Sequence, residues 1–260
     1  MLEIPRSARL AAWGSAWLQE RASTDVVVAA VTGSDEPHTV EPGEVLGAGP
    51  AGLEALLGAL REAGVPALAV VLPVPGDPVG LPGPPAFNAL AIEAGECVVT
   101  AGGPAWGAVP EVEVFGSDWE PGHLVTWQVR PVARLAGDDG GSIGEAERAL
   151  REGLLAATAA LDRLDVAAVA PDAAEQLRLL RQAELPTGAL PRGTPPRSVQ
   201  VLATAGRLRA VLSLAAQDDG AAVTSYEAGE RARTLRELDA VCRHAVVAAV
   251  NAACTPTLGG

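Results

Sequence analysis

The stretch that decides the fold of the first half of the chain is VLGAGPAGLEALLGALREAG, residues 45–64. Its Gly47, Gly49 and Gly52 have the spacing G-x-G-x-x-G, which places a glycine-rich turn directly before a run of leucines. The leucines repeat at helical spacing, and the apolar run over 67–72 is typical of a buried strand. The stretch therefore predicts a turn, a helix and a strand in succession.

The turn GAGPAGL resembles the FAD-binding start of the two-dinucleotide-fold flavoproteins. The resemblance implies that Gly47 makes the tight turn and that Gly49 lets the backbone approach the pyrophosphate. It also implies that Gly52 lets the helix pack closely on the strand, with the phosphates at the N-terminus of that helix. An FAD- or NAD(P)-dependent oxidoreductase that uses residues 47–52 is therefore one hypothesis.

Two structural partners of that motif are missing from the sequence. Pro42 and Gly43 interrupt the apolar strand that should precede the turn. The second strand should be followed by an acidic residue that binds the ribose, but the first one after 67–72 is Asp77, beyond a proline-rich turn. A helix that begins after a glycine-rich turn explains the stretch better, and we predict no bound cofactor.

The composition excludes several classes of enzyme and partner. All 19 basic residues are arginine, so the lysine that P-loop ATPases, protein kinases and Schiff-base enzymes require is absent. The net charge of −13 makes nucleic acid and anionic membranes poor partners, because both are negatively charged. We therefore expect neither nucleic acid nor a membrane among the partners.

The use of cysteine and histidine indicates a cytoplasmic protein without a metal site. Cys97, Cys242 and Cys254 are an odd number and form no C-x-x-C pair, which favours reduced thiols. The N-terminus lacks a basic start followed by an apolar core, so no secretory signal is predicted. The histidines are too widely separated for metal-ligand spacing, and no metal is predicted.

Residues 1–135 are predicted to form an acidic, mixed α/β layered domain. The apolar, β-branched run over 24–33 favours a strand, with a helical turn as the open alternative. The other elements predicted in this domain are a helix over 7–20, a helix over 85–94, a strand over 97–101 and an antiparallel hairpin that pairs 109–116 with 123–131.

Residues 142–252 are predicted to form an antiparallel α-helical bundle, so that the fold class of the chain is α+β. Ser142 and Glu145, at the end of a turn-rich linker, have the spacing of a capping box at the start of the first helix. Three further helices are predicted, over 171–183, 201–215 and 224–249. Residues 253–260 are predicted to be a loose C-terminal tail.

The loop over 73–88 is a second candidate for a site. A loop directly after a buried strand lies where α/β proteins commonly bind ligands, although its many prolines equally suit a rigid cover over the sheet. Asp77, Asn88 and His123 would be the catalytic residues of a small-molecule enzyme here, provided that their side chains converge in one cleft.

We predict a binding or interaction role without assignable catalytic machinery. Trp119, in a hairpin turn, is expected to be an exposed contact for a partner chain. His123 is expected either to lie at the surface or to reach Glu111 or Glu113 across the hairpin. The arginine-rich helical half is expected to pair with a second copy, as a homo-oligomer. The chain resembles an uncharacterised protein family of actinobacteria in stretches such as PGDPVGLPGPPAFNAL, residues 75–90, and this resemblance implies no known activity.

Overall fold

The computed structural model describes residues 2–41, 49, 51–117, 119–133, 141–163, 179–180, 182–216 and 225–255. The helices of these residues are α1 (Arg6–Leu18), α2 (Thr24–Thr32), α3 (Leu53–Glu62), α4 (Pro85–Ala94), α5 (Ile143–Arg163), α6 (Pro196–Ala216) and α7 (Ser225–Cys254). The strands are β1 (Thr39–Val40), β2 (Ala51–Gly52), β3 (Leu68–Val71), β4 (Cys97–Thr100), β5 (Trp106–Ser117) and β6 (Glu120–Pro131).

The chain forms two compact units. The helical unit comprises Met1–Glu3, Gly141–Thr187 and Pro195–Ala249, and the sheet unit comprises Ile4–Gly140, Gly188–Thr194 and Val250–Gly260. The described strands form one sheet in the order β2-β1-β6-β5-β4-β3. Its neighbours are antiparallel except β1 and β6, which are parallel. Helices and a mixed sheet together confirm the predicted α+β class.

Helices cover both faces of the sheet at its β3–β5 end. Leu68 of β3 lies against Gly14 of α1 on one face. The next residue, Ala69, points to the other face, because side chains alternate along a strand. There it packs with the cluster around Phe87 of α4, to which Val99 of β4 also belongs. The predicted hairpin is confirmed, and it is longer than expected, with β5 and β6 paired from Trp106–Pro131 to Ser117–Glu120.

The preference for a strand over 24–33 was wrong, because residues 24–32 form helix α2. Val27 and Val31 are its buried side chains, and their spacing of four residues is that of a helical face. The helix packs against α1 and is tied to it by Trp17 Nε1, which donates to Thr24 Oγ1 over 2.9 Å. Tertiary burial on one face therefore outweighs the β preference of the branched residues.

The strands described on either side of α3 do not form a βαβ unit with it, and the strand that the glycine fingerprint places before Gly47 falls on residues 42–48, outside the described residues. In such a unit the two strands run parallel within one sheet around a crossover helix. Here β2 directly precedes α3 and β3 follows it, yet they are the two opposite edges of the sheet. Gly52 is the N-cap of α3, whereas Gly47 lies outside the described residues. Helix α3 therefore begins directly after Gly52, as the sequence predicted.

Two side chains bind the outer edge of β3. Ser15 Oγ accepts the N–H of Leu68 over 2.9 Å and donates to its carbonyl over 3.3 Å. Asn251, near the end of α7, accepts the N–H of Val70 through Oδ1 over 2.8 Å and donates to its carbonyl through Nδ2 over 3.2 Å. Because Leu68 and Val70 are the β3 residues whose backbone groups point away from β4, this edge offers no template to another strand.

Helix α5 of the helical unit begins with the predicted capping box. Ser142 Oγ accepts the N–H of Glu145 over 3.2 Å, and Glu145 Oε2 accepts the N–H of Ser142 over 2.8 Å. The later helices are confirmed as α6 and α7. The helix predicted over 171–183 falls mostly outside the described residues, as do the C-terminal residues 256–260. The antiparallel bundle therefore stays a prediction.

Helix α6 is the one helix in the described part of the chain that is long and apolar enough to cross a membrane, with a mean hydropathy of 1.2 over its best window. Core helices of soluble proteins meet the same criterion.

Candidate functional site

The end of the β5–β6 hairpin extends beyond the neighbouring strands. We call residues 111–124 the hairpin arm. β4 pairs with β5 only at Gly107 and Ala108, and β1 pairs with β6 only at Thr126 and Trp127. Every residue over 111–117 is exposed. The arm is therefore a two-stranded ribbon with no further strand beside it in the described part of the chain.

The outer edge of β6 is occupied. The N–H of Glu36 donates to the carbonyl of His123, and the N–H of Glu41 donates to the carbonyl of Trp127, each over 3.0 Å. These two carbonyls therefore point away from β5.

The pairing of the two strands shows that β5 has an open edge. Residues directly opposite each other in an antiparallel pair have the same orientation, so Val114, opposite His123, also points its backbone groups outward. The same holds for Val112, which lies opposite Val125, and for Pro110, which lies opposite Trp127. Pro110 offers only its carbonyl, because proline has no N–H. Among the described residues, no strand pairs with this edge beyond Ala108.

Apolar side chains surround the open edge. Val114 is 64% exposed and Trp119, in the turn at the tip, is 94% exposed. Val112, Phe115 and Leu124 are also among the exposed large hydrophobic residues. Because an indole that is almost wholly in water contributes nothing to the fold through burial, Trp119 lies where the sequence predicted a contact for a partner.

A buried carboxylate fixes the base of the arm. Asp35, in the loop after α2, has a side chain that is only 3% exposed. Arg6 of α1 binds it with two hydrogen bonds, from Nε and from Nη2, each of 2.8 Å, and Arg9 lies 3.4 Å away. His123 of β6 brings Nδ1 within 3.5 Å of Asp35 Oδ1. The first helix thereby orients the loop that holds β6.

His38 joins the same carboxylate to the core. Its Nε2 lies 3.3 Å from Asp35 Oδ2, and its Nδ1 accepts the indole N–H of Trp127 over 3.2 Å. Burial is the main reason why the pKa of His38 lies below its ordinary value of 6.5, although Asp35 acts to raise it. Burial acts to raise the pKa of Asp35, but hydrogen bonds and charge from Arg6, with smaller contributions from His38 and Arg9, hold it below 3.8. At neutral pH the carboxylate is ionised and the imidazole is neutral.

The structure does not bring the three candidates for small-molecule catalysis together. Asp77 closes a turn with Val74 through two backbone hydrogen bonds. Asn88 Oδ1 accepts the N–H of Gly83 over 2.8 Å, so it holds the loop over 73–88 in place.

Asn88 and His123 lie beside different parts of β5 and are therefore far apart. The ring of Phe87, the neighbour of Asn88, lies against Gly107, whereas His123 is paired with Val114. The seven steps along the strand from Gly107 to Val114 span about 23 Å. His123 also does not reach Glu111 or Glu113, because those side chains lie on the other face of the hairpin; it binds Asp35.

The three thiols are unreactive side chains of the interior. Burial is the largest cause that raises the pKa of Cys97, Cys242 and Cys254 to about 12 each. A thiol must be ionised to act as a nucleophile or a metal ligand. Among the described residues, no group of three or more histidine, cysteine, aspartate or glutamate residues could hold a metal ion.

Comparison with known proteins identifies a family. Residues 7–139 match the family described as Rv1486c-like protein, N-terminal domain, and residues 144–247 match the C-terminal domain of the same family. The chain belongs to the Rv1486c-like family. The resemblance to an uncharacterised actinobacterial family is thereby confirmed.

Relatives within the Rv1486c-like family match nearly the full length of the chain. It is similar to uncharacterized protein Rv1486c of Mycobacterium tuberculosis (strain ATCC 25618 / H37Rv), with 30% identity over 95% of this chain and 96% of the relative. It is also similar to uncharacterized protein ML1804 of Mycobacterium leprae (strain TN), with 28% identity over the same shares of both chains. No solved structure matches. These names assign no activity, which fits the prediction of a protein without assignable catalytic machinery.

Sequence reasoning missed the buried group around Asp35. Arg6 and Arg9 are three residues apart and share a face of α1, but no local pattern links them to an aspartate 26 or more residues away. For the arm, the sequence did carry a signal, which was the predicted position of Trp119 in the hairpin turn.

Proposed function

We propose that this member of the Rv1486c-like family is a binding protein whose hairpin arm takes an extended segment of a partner protein as an additional strand on β5. The observation that carries the proposal is the open edge at Val112 and Val114, beside a tryptophan that is 94% exposed. Strand addition of this kind combines main-chain hydrogen bonds with contacts to alternate side chains.

The charge of the arm defines the chemistry of the partner. The arm contains Glu111, Glu113, Asp118 and Glu120 and no arginine. The four carboxylates of the arm, in a chain whose net charge is −13, would repel a second copy of the arm. A segment that alternates basic and β-branched residues would match both the charges and the exposed valines.

Binding of two short synthetic peptides tests the proposal. One alternates lysine and valine, the other glutamate and valine, and fluorescence anisotropy of the labelled peptides measures affinity for the full chain. We expect the lysine peptide to bind and the glutamate peptide to bind at least about tenfold more weakly, because like charges oppose each other. Equal affinity for the two peptides, or no binding of either, would contradict the proposal.

A pair of variants at Val114 separates backbone from side-chain effects. Val114→Pro removes an N–H that points away from β6, and Val114→Thr keeps it. We expect the proline variant to weaken binding of the lysine peptide by about tenfold, the value of a lost hydrogen bond, and the threonine variant to change it by less than about threefold. Unchanged binding by Val114→Pro would exclude strand addition at this edge.

We also propose that the protein is cytoplasmic and that its helical half forms a bundle that self-associates as a homo-oligomer. Leu154 and Leu155 of α5 are 44% and 69% exposed, which supports an apolar contact there. Sedimentation equilibrium should show an oligomer that Leu155→Glu dissociates and that Glu152→Gln, an exposed neighbour, leaves intact. A strict monomer at high concentration would contradict self-association.

Binding at the arm requires no cofactor in this proposal. A thermal-shift assay with FAD, NAD and NADP should therefore give no stabilisation. A shift that Gly49→Val abolishes would instead support the oxidoreductase hypothesis, because that substitution would keep the backbone from the pyrophosphate.

A further inference from the structure

The two faces of the hairpin arm carry different side chains along β5. Successive residues of a strand point to opposite faces of the sheet, so Val112 and Val114 share one face. Glu111, Glu113 and Phe115 share the other face, and all five residues are exposed. The open edge of β5 therefore has valines on one side and two carboxylates on the other.

The face with the carboxylates is the one that α4 covers farther down the strand. Val109 of β5 packs in the cluster around Phe87 of α4. Glu111 and Glu113 follow Val109 at intervals of two residues and so lie on the same face of the sheet. Because both glutamates are exposed, the cover over this face ends before the arm begins.

Neither carboxylate is neutralised by an arginine in the described part of the chain. Glu111 accepts a hydrogen bond of 2.7 Å from Nε2 of Gln128, which is a neutral group. Glu113 lies opposite Leu124 and forms no ion pair with any described residue. Two negative charges therefore lie about 7 Å apart along the strand, beside its open edge.

The ring of Phe115 leans away from that edge. Its partner on β6 is Gly122, where a Cβ atom would collide with the ring. The ring therefore rests on β6, on the side of β5 that is already paired. The space beside Glu113 at the open edge is left to a further strand, which would meet the two carboxylates on this face rather than the phenyl ring.

We propose that Glu111 and Glu113 select the partner by requiring basic side chains on one face of the added strand, while Val112 and Val114 require apolar side chains on its other face. This inference rests on strand addition at β5. Residues directly opposite in neighbouring strands share a face, and opposite charges in such pairs stabilise the sheet whereas like charges destabilise it. The partner is therefore a segment with its basic residues at alternate positions, and a basic segment without that alternation would place charges against the valines.

Two peptides of identical composition test the alternation. One alternates lysine and valine, and the other has all its lysines in the first half and all its valines in the second. Fluorescence anisotropy with the full chain should show that the block peptide binds at least about tenfold more weakly, because it cannot present lysine and valine on separate faces.

The outcomes distinguish this inference from the proposed function. Equal affinity of the two peptides, together with slower amide exchange at Val114 when the alternating peptide is bound, would overturn selection by face and leave strand addition intact. No binding of either peptide would contradict the proposed function, and with it the inference that rests on it.

A matched pair of charge reversals locates the selecting residue. Glu113→Lys reverses a charge beside the open edge, and Glu62→Lys makes the same change in net charge at the exposed end of α3, outside the arm. We expect the ratio of affinities for the lysine–valine and glutamate–valine peptides to fall at least about tenfold in Glu113→Lys, because an attractive pair becomes a repulsive one. In Glu62→Lys the ratio should change by less than about twofold.

A milder variant accompanies the reversal. Glu113→Gln removes the charge without reversing it and should give a ratio between those of the parent chain and Glu113→Lys. Circular dichroism verifies that all three variants are folded. Equal changes in Glu113→Lys and Glu62→Lys, or an unchanged ratio in both variants of Glu113, would show that net charge alone governs the preference and would overturn the proposal.

Discussion

The indole N–H of Trp127 donates to Nδ1 of His38, with 3.2 Å between the two nitrogens. Neither side chain has any exposed surface. Because an indole N–H can only donate, Nδ1 must accept, and the proton of the neutral imidazole lies on Nε2, which faces the ionised Asp35. The hydrogen bond from Trp127 therefore fixes the tautomer of His38. It also links the core of the sheet to the base of the hairpin arm.

Loss of the indole donor should destabilise the protein. Trp127→Phe leaves Nδ1 of His38 buried without its donor, and we expect the free energy of unfolding to fall by about 1–3 kcal/mol, with a further loss from the smaller ring. Trp119→Phe is the matched control, and because its indole is exposed it should change stability by less than about 0.5 kcal/mol. Urea titration measures both, and equal effects would contradict the role of the buried pair.

Stability should decrease as the pH falls below neutrality. The folded-state pKa of His38 lies below 6.5, so the unfolded chain takes up its proton first and gains from it. The stabilising contribution is therefore present above pH 6.5 and is lost as the pH falls from there through the folded-state pKa. We expect His38→Gln to flatten this dependence in thermal melts between pH 7.5 and 5, where the range follows from the ordinary histidine value of about 6.5. If the stability of the variant depended on pH as steeply as that of the parent chain, this role of His38 would be contradicted.

Removal of the Asn251 side chain should expose the edge of β3. Asn251→Ala leaves the N–H and the carbonyl of Val70 without their partner, and we expect a loss of about 1–3 kcal/mol in unfolding free energy. Amide exchange measured by NMR should be faster at Val70. Thr255→Ala, which removes an exposed hydroxyl one turn later, should leave the exchange at Val70 as it is in the parent chain.

The thiols should not react while the protein is folded. With the pKa of Cys97, Cys242 and Cys254 raised to about 12, almost no thiolate is present at pH 8, and a thiol reagent should label them only after denaturation. Because these pKa values exceed the ordinary value of 9.0, stability is retained below pH 9 and is lost as the pH rises from 9 towards 12. Rapid labelling of any of the three in the folded chain would contradict the burial.

Local patterns were enough to predict most elements of this fold. The capping box at Ser142, the helix that ends at Gly95 and the hairpin with Trp119 in its turn each depend on residues that are close in sequence. The interpretation of 24–33 failed because β-branched residues suit either a strand or a helix, and only the packing of Val27 and Val31 decides between them.

Long-range partners of the candidate site could not be predicted from the sequence. Asp35 meets Arg6 across 29 residues, and Asn251 meets Val70 across 181 residues. Such contacts follow from the order of strands and helices in space, on which a single sequence carries no local signal. The open edge of β5 likewise depends on where β4 ends relative to β5, and not on the residues of β5 alone.

Amide exchange at Val112 and Val114, measured by NMR with and without the lysine–valine peptide, tests the proposed strand addition most directly. Both amides point away from β6, so an added strand must bond to them, whereas the intervening Glu113, which faces β6, is already paired. We predict that saturating peptide slows exchange at Val112 and Val114 by at least about tenfold, the equivalent of about 1.4 kcal/mol, and leaves Glu113 nearly unchanged. Bound peptide with unchanged exchange at Val112 and Val114 would contradict strand addition at β5.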